Sequence, residues 1–480
     1  MALIEAAPVK AAAKASPGSY GGRDLTNGSI PRNLWFLGWP ATASGAIHAV
    51  DLLMEIVWAG FLGTQALGGI GVAQGWVQLF NTARTGLDSS TRAMVSRAVG
   101  AGDHKAANHA ATQAFILNVA LAVIVLAIGS LLAYPLLRVI GVSDAVAQEG
   151  ASYLRWRFVS TTTFAVLMVT MSILQAAGDP ITPMHANTVS RLLHMLVSPF
   201  LIFGWGMPAM GIAGSAAGFA IAQTVGVVIT LHALFSPRAR FRLSLRNVSL
   251  DFPMMWRMLR IGIPASVTSG ERSIAQLLLV SIVAPFGDVA VAAYSLVQRL
   301  QSFIQLVLAG LGQAAGVLAS QNLGAQKLDR ARSSANWAVV FTIVICVLIG
   351  FVSYVFPVQI LNLFTRDEAL VSSGEVWMRI MVAGFLFMGV GDVYMYVLNT
   401  AGDTVLPMIV SLLGIWAVQQ PAAIFLSGQT VGWSILGTPL PVYDGLQDQG
   451  VAWAMVLALV FRVTIYTPYF YLSPWYRKRI

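Results

Sequence analysis

Long apolar runs alternate with short polar stretches twelve times along the chain, at about 33–58, 64–91, 104–134, 147–176, 181–204, 211–235, 255–284, 288–320, 329–356, 371–400, 404–427 and 449–472. Each run exceeds the ~20 residues that an α-helix needs to cross ~30 Å of hydrocarbon. Gly178-Asp179-Pro180 and Gly206-Met207-Pro208 interrupt the pattern with turn chemistry. The longest polar break, Ser236 to Pro253, falls near the middle. The pattern predicts an all-α integral membrane fold of twelve transmembrane helices.

The second six runs echo the first six at a fixed spacing. Leu37-Gly38-Trp39-Pro40 recurs as Ile261-Gly262-Ile263-Pro264, and Ser96-Arg97-Ala98-Val99-Gly100-Ala101 as Ser320-Gln321-Asn322-Leu323-Gly324-Ala325. Leu174-Gln175-Ala176-Ala177-Gly178-Asp179 recurs as Leu398-Asn399-Thr400-Ala401-Gly402-Asp403. Every pair stands 224 residues apart. The expected organisation is a tail over 1–32, a first six-helix lobe over 33–235, a linker over 236–254 and a second lobe over 255–480. Two like halves in an apolar chain are the plan of a transporter that rocks about a central cavity.

Composition agrees with lipid as the main solvent. The chain is 57% hydrophobic and 10% charged, whereas a soluble chain carries about a quarter charged residues. The single Cys346 excludes an internal disulfide. The net charge of +9 is spread over alternate loops rather than gathered in a stripe for nucleic acid. Arg92, Arg97 and Lys105, the arginines of 238–246, Lys327, Arg330 and Arg332, and the terminal Arg477-Lys478-Arg479 belong to one set of loops. The other set carries Asp144, Glu149, Asp288, Asp367, Glu368, Asp444 and Asp448. Basic loops stay inside, so both termini are expected to be cytoplasmic, in a multi-pass plasma (inner) membrane protein. The Ala/Gly/Ser/Pro-rich start of the chain, Met1 to Ile30, reads as a disordered cytoplasmic tail.

Charges inside the spans are the candidate chemistry, because each costs ~2.5 kcal/mol or more at the bilayer centre and must face protein or water. His48, Asp51 and Glu55 stand at i, i+3 and i+7 on the first span and share one helical face. Glu55 either binds the driving ion or lies hydrated at the outer interface. Glu271 and Asp392 are the acids of spans seven and ten, with Arg272 a counter-ion for Glu271. Met388 and Tyr396, near Asp392, suit a pocket for flat lipophilic cations. Arg84 and Asp88 form an intrahelical pair. Arg191, Arg299 and Arg462 are assigned no chemistry. Pro40 and Pro264 mark helix kinks.

The chain resembles the multidrug and toxic compound extrusion transporters over nearly all of its length after residue 33. The resemblance rests on Val95 to Asp103, on Ala319 to Ala325 with its Gln-Asn-Leu-Gly-Ala, and on the Gly-Asp turns after spans four and ten. It implies two lobes, a central cavity and export of organic molecules driven by inward H⁺ or Na⁺. Glu55 to Gly63 is similar to the family's first-span motif, which usually opens with Asp, and Pro40 matches a family proline. Many members carry Asn-x-x-x-Asp-Pro on span five, where this chain has His194-x-x-x-Ser198-Pro199. The replacement points either to His194 pairing with Glu55 as a second titratable group or to a neutral histidine on a backbone carbonyl. Some members use acids on spans seven and ten for Na⁺ or cationic substrate. Glu271 lies one residue early and Asp392 about one turn early relative to that pattern.

No Walker-type loop, His-Glu-x-x-His or cysteine cluster occurs, so no ATP site, metal or other cofactor is expected. The expected partners are a small organic substrate and the bilayer, with no nucleic acid and no obligate protein partner. The favoured function is a secondary active antiporter, not an enzyme, that exports lipophilic cationic compounds in exchange for H⁺ or Na⁺. The alternative is a flippase of lipid-linked sugars or polysaccharide on the same two-lobe plan. A membrane-embedded lipid-modifying enzyme ranks behind both, because the acids are scattered across separate spans.

Overall fold

A computed structural model describes residues 23–62, 64–139, 144–206, 208–236, 243, 249–428, 434–435, 438–439 and 446–478. Residues 1–22 of the expected tail and most of the expected linker lie outside the described residues. The first lobe is α1 (Ile30–Leu62), α2 (Thr64–Gly100), α3 (His104–Arg138), α4 (Asp144–Ala176), α5 (Ile181–Phe203) and α6 (Ala213–Phe235). The second is α7 (Phe252–Val283), α8 (Asp288–Gly324), α9 (Leu328–Val355), the short α10 (Pro357–Leu361), α11 (Glu368–Thr400), α12 (Val405–Leu412), α13 (Gln420–Ser427) and α14 (Gln449–Leu472). A π-helical stretch, Leu413–Gln419, joins α12 to α13 into one span. Ser434–Ile435 and Thr438–Pro439 form a small antiparallel pair before α14.

Eleven spans among the described residues are long and apolar enough to cross a membrane. The twelfth expected span, α2, is 37 residues long but polar over its second half, with Asn81, Thr82, Arg84, Asp88, Ser90 and Arg92. At ~1.5 Å per residue it is longer than the hydrocarbon is thick.

Local sequence explains where helices start and stop. The carboxylates of Asp103, Asp251 and Asp367 accept the first free amides of α3, α7 and α11. Gly178 (φ +91°) and Gly402 (φ +89°) take the left-handed turn that ends α4 and α11. Each turn closes with the same bond, Asp179 N to Leu174 O and Asp403 N to Leu398 O, both 2.9 Å. The sequence repeat is thus a repeat of backbone geometry. Pro40 and Pro264 fall inside α1 and α7, where each deprives the carbonyl four residues earlier of its amide.

The lobes meet through glycine. α1 lies mainly along α8, and α7 along α2. A side chain at Gly86 would run into the Gly262 carbonyl, and one at Gly310 into Thr42 and the Gly38 backbone. These are repeat-related positions, so one contact is the pseudo-twofold image of the other. Gly100 and Gly324 repeat the arrangement at the ends of α2 and α8, against Gln321 and Arg97 respectively. Since these two helix ends lie together, both repeats run through the bundle in the same direction. This end carries the basic loops and is called the basic end below.

Two segments cover the seam at the basic end. Residues 23–32 do not behave as a disordered tail: α1 starts at Ile30 and Leu25 is fully buried. Arg23 N donates to Gly178 O of the first lobe, while Asn322 and Lys327 of the second donate to the Leu25 and Thr26 carbonyls. At the other terminus Arg97 of α2 donates to the Lys478 carbonyl at 2.7 Å, and the Lys478 ammonium pairs with Asp403. The second lobe begins slightly before the expected residue 255, since Asp251 already caps α7.

Candidate functional site: an interlobe chamber and two buried charge clusters

Beyond the glycine seam the lobes part around a chamber of about 900 Å³. Its walls come from α1 (His48, Leu52), α2 (Gln74, Gln78), α7 (Arg272, Gln276, Val280), α8 (Tyr294 to Ala309) and α11 (Asp392, Tyr396). The volume falls in the range that holds a drug-sized molecule. Toward the basic end it is shut off: Thr42 Oγ1 donates to the Val307 carbonyl at 3.1 Å and Ser266 Oγ to the Ala83 carbonyl at 2.8 Å. The chamber belongs to the half of the bundle away from that end.

Behind its first-lobe wall lies a buried cluster drawn from four helices. The α1 spacing puts Asp51 and Glu55 on the face turned into the lobe, 3% and 4% exposed. Arg191 Nη1 donates to Asp51 Oδ2 at 2.8 Å, and His194 Nδ1 lies 2.6 Å from Asp51 Oδ1. The other histidine nitrogen, Nε2, is 3.2 Å from the Ser215 carbonyl. That carbonyl can only accept, so the contact is a hydrogen bond only with the proton on Nε2. Glu55 accepts from the Tyr153 hydroxyl at 2.9 Å and the Ser215 hydroxyl at 3.1 Å. Arg157 and Arg191 lie over the Phe219 ring, 4.2 and 5.3 Å from its centre, attracted by its negative face.

Several expectations on these residues change. Glu55 is buried, which removes the reading of a hydrated group at the interface. His194 pairs with Asp51, not Glu55, because Asp51 is the α1 acid that faces α5. Ser198 is buried against Gly218 of α6, and its hydroxyl has no hydrogen-bond partner among the described residues. It joins neither acid. Arg191, assigned no chemistry, is the buried counter-ion of Asp51.

The second lobe repeats the principle at unrelated positions. Asp392 is 3% exposed and accepts from Arg462 Nη2 at 3.2 Å, with Gln305 Nε2 at 3.5 Å and Arg272 Nη2 at 3.9 Å. Arg272 therefore turns to Asp392 rather than to its neighbour Glu271. Glu271 is 6% exposed and does not line the chamber. Neither of its oxygens makes a well-formed hydrogen bond, although the Ser411 hydroxyl comes near. His48, Asp392 and Tyr396 do line the chamber, and Met388 lines a side pocket that opens from it. Arg84 and Asp88 pair at 3.5 Å within α2, as expected.

Sequence reasoning missed Tyr153, Arg157, Arg191, Ser215, Phe219, Gln305 and Arg462. For the arginines a signal was present: an arginine deep in an apolar run needs a carboxylate, and each lobe offered two, Asp51 and Glu55 or Glu271 and Asp392. Arg191 and His194, three apart on α5, also share a helical face. For Tyr153 and Ser215 nothing in the local sequence marks the contact.

Comparison with known proteins places this arrangement. The MatE family model matches residues 40–200 and 264–425, two matches that begin 224 residues apart, at Pro40 and Pro264. A Bacillus subtilis protein named "probable multidrug resistance protein YoeA" is 26% identical over 84% of this chain and 88% of its own length. The Thermotoga maritima "probable multidrug resistance protein NorM" is 21% identical over 94% of both chains. A Pyrococcus furiosus MOP superfamily transporter, described by its authors as having a binding pocket of reverse polarity, superposes with a TM-score of 0.85 at 19% identity, over 95% of this chain and 98% of its own. With the family model covering most of both halves, the chain belongs to the multidrug and toxic compound extrusion (MATE) transporter family.

Proposed function

We propose that this transporter is a secondary active exporter of small organic molecules, in which H⁺ or Na⁺ entering from outside occupies the first-lobe cluster and changes the packing of that lobe. The observation that carries the proposal is that Asp51 and Glu55 are buried on the same helix whose His48 and Leu52 face the chamber. An ion taken up there alters α1, and α1 is also the helix that seals the seam through Thr42. Ion site and seal thus share one rigid element, which is what coupling requires of two sites.

With the basic end on the cytoplasmic side of the plasma membrane, both termini lie inside and the chamber faces outward. In this state cargo leaves and the driving ion enters. The reverse state needs the seam to open and the chamber to close.

The expectation of a cationic cargo rested on the intramembrane acids. Asp51 and Asp392 are each held by an arginine, and neither presents a bare carboxylate to a cation. The antiport reading does not depend on the sign of the cargo. Its test is counterflow in proteoliposomes holding ethidium, with H⁺ and Na⁺ gradients imposed separately. Ion-driven ethidium flux, lost in Glu55→Gln, is the expected result. Flux that ignores both gradients would overturn it.

A further inference from the structure

A pocket of about 90 Å³ extends from the chamber into the second lobe. It shares Arg272, Gln276, Gln298, Ser302 and Gln305 with the chamber wall and ends on Gln301, Gln419 and Arg462. Its far side is the π-helical stretch, whose Ile415 and Gln419 line it. π-Helical turns are uncommon and concentrate at functional sites. Here the extra residue per turn aims Gln419 at the same space as Arg462.

The lining is rich in donors and poor in negative charge. Across pocket and chamber, Arg272, Arg299 and Arg462 stand against one carboxylate, Asp392. Arg462 is 7% exposed; its Nη2 donates to Asp392, and its buried Nε has no hydrogen-bond partner among the described residues. Gln301 Nε2 donates one of its two protons to the Met388 sulfur, a weak acceptor, at 3.3 Å, and its buried Oε1 is an acceptor with no partner among the described residues. Arg272 is one-third exposed and reaches Asp392 only at 3.9 Å. Buried polar groups normally find partners. Two arginines share one carboxylate oxygen here, so positive charge that Asp392 does not fully neutralise borders the pocket and suits an acceptor group.

We propose that this side pocket seats an anionic group of the cargo, a carboxylate or phosphate, between Arg272 and Arg462, while the rest of the molecule occupies the main chamber. The proposal deepens the exporter reading and rests on it for the word cargo. Arginine suits the task, since its planar fork meets carboxylate and phosphate oxygens in pairs. The pocket volume admits such a group and no fused ring. The glutamines can donate to the oxygens or accept from hydroxyls next to them.

The test uses the full-length transporter in phosphatidylcholine nanodiscs and two xanthene dyes of opposite charge, 5-carboxyfluorescein and rhodamine 123, read by fluorescence anisotropy. The expected result is carboxyfluorescein affinity at least ~10-fold above that of rhodamine 123. Arg272→Gln abolishes the preference, and Arg272→Lys restores much of it. Arg260→Gln, an exposed arginine near the basic end, leaves it unchanged. Equal or tighter rhodamine binding, no binding of either dye, or carboxyfluorescein binding indifferent to Arg272→Gln would each overturn the proposal. Including phosphatidylglycerol in the nanodisc separates the sources of the anion: displacement of the bound dye supports a lipid headgroup, and persistence supports a soluble cargo. Ion-driven counterflow is scored separately. Driven rhodamine flux without carboxyfluorescein binding sinks the anion pocket and keeps the exporter. Arg272-dependent carboxyfluorescein binding without ion-driven flux of either dye does the reverse.

Discussion

Gly100 at the end of α2 and Gly324 at the end of α8 are repeat partners, and each is pressed against the backbone of the other's helix. A Cβ at Gly100 would collide with the Gln321 carbonyl, and one at Gly324 with the Arg97 carbonyl. Backbone cannot swing aside as a side-chain tip can. Gly100→Val is therefore expected to push the lobes apart at the basic end, at a cost of about 1–3 kcal/mol to the closed seam. Spin labels at the ends of α2 and α8 would report a longer distance and a shift toward the state open at the basic end. An unchanged distance distribution would show that the seam yields elsewhere.

The Asp51–Arg191 pair gives a sharper test, because both groups are buried. Removing one partner leaves an uncompensated charge, at about 3–5 kcal/mol. Asp51→Asn is expected to lower thermal stability markedly, and Asp51→Asn with Arg191→Gln to regain most of it. The double variant should still fail to couple flux to the ion gradient if Asp51 belongs to the ion site. Recovered coupling would reduce Asp51 to a structural counter-ion.

Glu55 accepts from Tyr153 and Ser215, and a glutamine oxygen can accept the same two bonds. Glu55→Gln should fold normally while losing an ion dependence of about 1–3 kcal/mol, a ~5–150-fold change in the ion's effect on cargo affinity. Cargo affinity measured at two pH values or two Na⁺ concentrations decides it. An intact ion response in Glu55→Gln would move the site to Asp51 and His194.

Outside the membrane, Asp251 links the start of α7 to His109 on α3, with Nε2 and Oδ2 2.9 Å apart. The His109 bond, together with the Met254 amide, holds the Asp251 carboxyl below the ordinary aspartate range near 3.8. A depressed carboxyl contributes stability above its unfolded value and loses it as pH falls through the folded one. The wild type should melt above Asp251→Asn at pH 7, with the gap narrowing once pH falls below about 4. A gap that stays constant as pH falls well below about 4 would show that ionisation of Asp251 contributes nothing to the difference.

The helices, the repeat and the two-lobe plan were legible because lipid imposes them on composition: every span must be apolar, and duplicated turns keep their Gly-Asp. The first-span acids were legible for the same reason, as charges out of place. Their partners were harder to read, because pairing depends on which face of α1 meets α5. Glu55 and Asp51 differ by one turn; of the two readings of His194, the pairing with Glu55 fails and the contact with a backbone carbonyl is present beside the Asp51 pair. The second lobe misled differently. Arg272 neighbours Glu271 along the chain, yet adjacent residues on a helix point apart, and Asp392 on another helix is the acid that Arg272 approaches. Repeat logic gave no help, since Asp51–Arg191 and Asp392–Arg462 do not occupy equivalent positions. Symmetry governs the frame here, and chemistry departs from it.

The segments around Leu25 and Lys478 clasp both lobes from the same side. Opening the seam would require both clasps to release, which ties these two segments to the contact between the lobes. A tag or fusion placed next to either segment is expected to disturb the contact that segment makes across the lobes. Turnover measured on such fusions belongs to the fusion, and a version with the tag cleaved away sets the proper reference.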